Sequence, residues 1–141
     1  MGARSSGREA ALQMLFALEA GGAGVEQVIA SFWRETPGDP EGREYADAAV
    51  RGSAGELEAV DESIRKASTN WRIERMARVD RNVLRLAAYE MLYREDIPPI
   101  VSINEAVDIA KRFSTNDSGK FVNGILDSVK GELMRPARQV K

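Results

Sequence analysis

Neither cysteine nor histidine occurs in the 141 residues of this chain. Without cysteine there is no disulfide and no thiolate nucleophile, and without both there is no Cys/His zinc site. Without histidine there is no Ser-His-Asp triad and no imidazole general base. An enzyme on this sequence would have to work with carboxylates, Lys, Tyr or Ser. Long apolar runs are missing as well. No segment approaches the roughly 20 apolar residues that a membrane-spanning helix needs, and no secretory n-region/h-region pattern is present, so the cytoplasm is the expected location. A surplus of one charge is the last absence. Lys and Arg number 20 against 22 Asp and Glu, a net charge of −2. That is not the footprint of a whole-surface nucleic-acid binder, so any such binding has to come from a local patch.

What is present is a core and a strong helical period. Apolar residues make up 43% of the chain, enough for one domain of this length. Residues 1–7, "MGARSSG", are small and polar and are expected to be flexible, as is the basic tail 135–141. Ala11, Leu12, Leu15, Phe16 and Leu18 recur at helical spacing from Arg8 onward, and "GGAG" at 21–24 stops that helix. A second helix is expected over Val25–Arg34, then a proline- and glycine-rich loop at 36–42. One long helix is expected from about Arg43 to Ser68, with Tyr45, Ala49, Leu57, Val60 and Ile64 inward and Gly52 and Gly55 as places to bend. A short helix is expected over Trp71–Met76.

Residues 79–93, "VDRNVLRLAAYEMLY", carry the most apolar pattern and read as a central buried helix with Asp80 as its N-cap. Pro98 and Pro99 end it. "SINE" at 102–105 matches a capping box, Ser102 with Glu105. Ile103, Ala106, Val107, Ala110 and Phe113 form the next apolar face. The last helix starts near Asp117–Gly119 and carries Phe121, Val122, Ile125, Leu126, Val129 and Leu133. Sustained period-2 alternation is absent. The fold class is all-α, with about seven helices.

Four groupings could carry function. Ser118-Gly119-Lys120 is not a nucleotide-binding loop, because Phe121 stands where Ser or Thr is required and no strand precedes it. Its plain reading is a helix start capped by Asp117 or Ser118, with Lys120 in solvent. Arg72, Arg75, Arg78, Arg81 and Arg85 form either a salt-bridged face with Glu74 and Asp80 or a strip for phosphates. Arg4 and Arg8, with Phe16 further on, are a minimal kit for single-stranded RNA, unless Phe16 simply packs in the core. Glu90, inside the most apolar helix, calls for a buried partner such as an arginine, with a raised pKa as the alternative.

The segments "NWRIERMARVDRNVLRLAAYEMLY" (70–93) and "IPPIVSINEAVDIAKRFSTNDSGKFVNGILD" (97–127), with the opening "REAALQMLF", resemble the NusB family of transcription antitermination factors. The resemblance covers essentially the whole chain; over 21–65 it rests mainly on helical pattern. It implies two small helical bundles forming one compact domain. It implies no catalysis and no cofactor. It further implies binding of boxA, a single-stranded RNA element of rRNA leaders, together with the ribosomal protein NusE, so that RNA polymerase reads through terminators. Carried over by position, it implies RNA contacts at Arg4, Arg8, Phe16, Asp117, Lys120 and Phe121, with Arg85 near the RNA side. Glu74 and Asp80 match the region that meets NusE.

Family members often cluster several arginines at the N-terminus. Here residues 4–8 read "RSSGR", and over residues 1–20 Arg4 and Arg8 are balanced by Glu9 and Glu19. Weak solitary RNA binding, strengthened by the partner, is therefore expected. Two alternatives stand beside this reading. One is a helical protein-interaction module, with a homodimer left open. The other is an accessory domain of the kind fused to RNA cytosine methyltransferases, although the sequence has neither a glycine-rich cofactor loop nor a cysteine nucleophile.

Overall fold

The computed structural model describes residues 2–134. It contains helices α1 (Ala3–Ala20), α2 (Val25–Glu35), α3 (Pro40–Gly55), α4 (Leu57–Ala67), α5 (Arg78–Tyr93), α6 (Pro99–Phe113) and α7 (Asn116–Met134). A single 3-10 turn, Ile73–Arg75, replaces the short helix expected over 71–76. No strand occurs among the described residues. The tail expected to be flexible, 135–141, lies outside them.

The helices enclose two cores. Ala11, Met14 and Leu15 of α1, Val28 and Ile29 of α2, and Ala46, Ala49 and Val50 of α3 form the smaller one. The larger is built by α4 to α7 around Val60, Ile64, Leu84, Ala88, Ile103, Ile109, Val122 and Leu126. α5 joins them. Its Val83, Leu84 and Ala87 face the larger core and its Leu86 the smaller, while Leu12 of α1 reaches across into the larger. A helix apolar on most of its circumference has to be surrounded in this way.

Several helix ends differ from the sequence expectation, each for a local reason. α1 begins at Ala3 rather than Arg8, so residues 3–7 are helical. Gly7 lets α1 lie directly on α3: a Cβ there would come within 2.9 Å of the Gly42 carbonyl oxygen. Asp39 caps α3 by accepting from the Gly42 N–H at 2.7 Å, with Pro40 in the first turn. The single long helix expected over 43–68 is two helices. The break falls at Glu56 (φ −113°, ψ 28°), after Gly55. Leu57, expected inward, opens the second of them and is exposed.

Asp80 is not the N-cap of α5. Ala77 holds that place and Asp80 lies within the first turn. The Ser102–Glu105 capping box is also absent. Pro98 takes the N-cap place and Pro99 opens α6, four residues earlier, and the Ser102 hydroxyl donates to Glu90 instead, at 2.8 Å. Phe113 and Leu133, placed on apolar stripes by their spacing, are exposed at helix ends.

Candidate nucleic-acid interface

The head of α7 is built by the polar run before Phe121. Thr115 is its capping side chain: its Oγ1 accepts from the Ser118 N–H at 3.1 Å, and its carbonyl accepts from the Gly119 N–H at 3.2 Å. Asp117 and Ser118, the expected caps, are thereby released from that role. Ser118 turns inward and donates to the Ser114 hydroxyl at 2.9 Å, while Asp117 and Lys120 remain exposed. Lys120 has no ion-pair partner among the described residues. At Gly119 α6 passes close by, and a Cβ would meet the side-chain stem of Lys111 at 2.8 Å. Phe121 is half-buried, seated on the larger core, and meets the Trp71 ring edge-on at 5.7 Å between centroids.

The start of α1 reaches this region across α6. The Ser5 hydroxyl donates to Glu105 at 2.8 Å, and Glu9 pairs with Arg112. Lys111 and Arg112 in the last turn of α6 are exposed; Lys111 lies beside Gly119 at the head of α7, and Arg112 pairs with Glu9 of α1. They add two cations to this surface, beside Glu105 and Asp108, that the sequence reading did not name. The visible signal was "KRF" at the end of a periodic helix, which by itself says only that cations suit a helix C-terminus.

Arg4 is exposed and pairs with Asp96 at 3.1 Å. The Arg94 hydrogen bond, followed by Arg94's charge and the Arg4 contact, holds the Asp96 carboxyl down at about 2. Such an exposed pair contributes little to stability and can be exchanged for another anion.

Two arginines expected at the RNA side are committed elsewhere. Arg8 is 4% exposed. It donates from Nε and Nη2 to the Glu90 carboxylate at 2.8 and 3.0 Å, while Tyr45 (2.6 Å) and Ser102 (2.8 Å) donate to the same group. Burial opposes the charge on Arg8, but the Glu90 hydrogen bond and charge outweigh it and raise its pKa. This is the arginine partner that Glu90 required. The guanidinium is unavailable to phosphate because leaving would strand a buried carboxylate.

Arg85 likewise donates to Asp61 at 2.8 and 3.0 Å and to Glu19 at 3.2 Å, clamping α1, α4 and α5. Arg81 joins it on Glu19 at 2.6 Å, and Arg78 approaches the same carboxylate at 3.3 Å. Much of the arginine series is thus ion-paired, but with Glu19 and Asp61 rather than the expected Glu74 and Asp80, and Arg81 and Arg85 are largely buried rather than solvated. Phe16 packs against the larger core with part of its ring exposed and does not line the cleft at Phe121. Glu74 is exposed between Arg65 (3.5 Å) and Arg72 (3.9 Å). Asp80 is 8% exposed, and its Oδ1 accepts no hydrogen bond among the described residues.

This arrangement can hold an anionic, ring-bearing chain. Cations and a helix N-terminus meet phosphates, and an aromatic face meets a base. It has no nucleophile–base pair to suggest bond chemistry. A family model described as the NusB family matches residues 5–130. The chain belongs to the NusB family. The transcription antitermination protein NusB of Sorangium cellulosum is 64% identical over 138 residues, covering 98% of this chain and 99% of that protein. The NusB of Anaeromyxobacter dehalogenans is 46% identical over 137 residues, covering 96% and 95%.

Among solved structures, T. maritima NusB superposes with a TM-score of 0.76 at 41% identity, covering 92% of this chain and 89% of that one. A structure of antitermination factors NusB and NusE in complex with dsRNA gives 0.85 at 26% identity, covering 94% and 98%. NusB proteins are non-catalytic transcription antitermination factors. The all-α, two-bundle architecture is the NusB fold.

Proposed function

We propose that this chain is an RNA-binding adaptor in transcription antitermination. It takes boxA-type single-stranded RNA of rRNA leaders together with NusE and promotes read-through by RNA polymerase. The observation that carries the reading is the head of α7. Exposed Lys120 and Asp117 flank the accessible ring of Phe121, and Lys111 at the basic end of α6 lies beside Gly119 of the same helix head. Lys120, Lys111 and Arg112 meet phosphates, Phe121 stacks on a base, and Asp117 accepts from a base edge. NusE meets the neighbouring acidic side at Glu74 and Asp80.

With Arg8 and Arg85 internal, phosphate contacts are few. Solitary binding should be weak and its salt dependence shallow, about −0.7 in log K per log salt for each neutralised phosphate. The test is titration of a boxA-type RNA and a scrambled RNA, each at two salt concentrations, with and without NusE. Preference for the boxA-type strand and tightening by NusE support the reading. Equal affinity for both RNAs, or no effect of NusE, would overturn it.

A further inference from the structure

We infer that Trp71 is a second base-stacking ring of the RNA site; this rests on the RNA-binding reading above and extends it beyond the head of α7. Trp71 stands in the loop between α4 and the 3-10 turn, held by its backbone. Its N–H donates to the Ser68 carbonyl at 3.2 Å, and its own carbonyl accepts the Ser68 hydroxyl at 2.7 Å. The side chain is nevertheless 60% exposed, the most exposed large apolar residue among those described.

The only aromatic neighbour of the ring among the described residues is Phe121, met at an interplanar angle of 89°, and the contact leaves Trp71 largely exposed. The two rings wall a cleft of about 260 Å³, with Met76 and Asp80 also lining it. Arg75 lines the cleft and Arg72 adjoins Trp71 in the chain. Both are exposed, and Arg75 has no ion-pair partner among the described residues.

Charge decides what enters. Asp80 and Asp117 both line the cleft, and two carboxylates repel a phosphate. A nucleobase is uncharged, has N–H donors on its rim for the exposed Asp117, and has a face for either ring. The strand therefore sets a base in this cleft, stacked on the face of Trp71, with its phosphates outside beside Arg72, Arg75 and Lys120. Hydrophobic exposure of this size next to a basic rim matches the stacking platforms of single-strand binders.

Trp33 and Trp71 are the only tryptophans. Trp33 lies in the smaller bundle, donating to Asp47 at 2.7 Å. In a Trp33→Phe protein all tryptophan emission reports on Trp71. Titrating that protein with a boxA-type RNA oligonucleotide should quench the emission in step with binding. Trp71→Ala should weaken binding of a dye-labelled copy roughly 5- to 150-fold, the value of one stacked base, and Trp71→Phe should restore part of it. Circular dichroism checks that the variants fold, and the emission titration decides the matter if Trp71→Ala does not.

Unchanged emission on binding, with undiminished affinity of Trp71→Ala, overturns the inference and leaves the RNA-binding reading intact. Absence of RNA binding by the unmodified protein, with NusE present, overturns both. Loss of NusE assembly alone in Trp71→Ala assigns the ring to the protein partner and overturns the stacking role.

Discussion

Replacing Arg8 by Met separates a structural arginine from an RNA-binding one. Met keeps most of the apolar stem and removes only the guanidinium. Glu90, 1% exposed, would then keep the Tyr45 and Ser102 hydroxyls as donors and lose its counter-charge. Breaking a buried ion pair from one side costs about 3–5 kcal/mol. Against a total stability of roughly 5–15 kcal/mol, that is a large share. In urea the midpoint should fall by roughly 2–3 M.

The double variant Arg8→Met, Glu90→Gln should recover most of the loss. The amide oxygen accepts from one of the Tyr45 and Ser102 hydroxyls while its NH2 donates to the other, and no buried charge is left unpaired. RNA affinity per folded molecule should be unchanged in both proteins, since Arg8 does not reach solvent. A midpoint shift below about 0.5 M, together with a tenfold or greater loss of RNA affinity, would refute this reasoning. It would put the Arg8 guanidinium back among the phosphate contacts.

Two further consequences concern stability. Gly7→Ala should destabilise by about 1–3 kcal/mol, because the new methyl meets the Gly42 carbonyl and the Tyr45 ring. Gly124→Ala, with nothing within 4 Å of its Cβ position, should stabilise by up to about 1 kcal/mol; thermal melts of the two should move in opposite directions. For Glu19, burial raises the pKa, but Arg81, Asn82 and Arg85 outweigh it and the net shift is downward from 4.5. A lowered folded-state pKa gives stability that is present above the unfolded value and is lost as pH falls through the folded one. Acid titration of stability should therefore show a loss beginning near pH 4.5 that Glu19→Gln lacks; identical acid limbs for the two proteins would contradict it.

The helical pattern between 79 and 93 identified α5 because a buried helix leaves few alternatives to a periodic apolar surface. The need of Glu90 for a buried arginine was also readable, since a carboxylate in that pattern has to be paired. Which arginine was not, because Arg8 is 82 residues away and pairing at that range is a property of the packed bundle. The same limit explains Arg85, whose partners Asp61 and Glu19 come from two other helices. Helix starts were misjudged at Asp80 and Ser102, where a good capping residue lies inside the helix and its side chain faces the interior. The Phe121 grouping stood out locally, because polar residues running into an aromatic are uncommon at a helix head. Trp71 drew no notice beyond the start of a short helix, since its exposure and its approach to Phe121 depend on how the 3-10 turn meets α7.

The account's central claim is that the head of α7 is an RNA-binding surface, and Phe121→Ala tests it most directly. The affinity of the folded variant for boxA-type RNA, measured with NusE present, should fall by about 1–3 kcal/mol, while the melting transition remains cooperative and moves little. A variant that binds RNA as tightly as the unmodified protein but melts far earlier would make Phe121 a core residue and leave the proposed cradle without its ring.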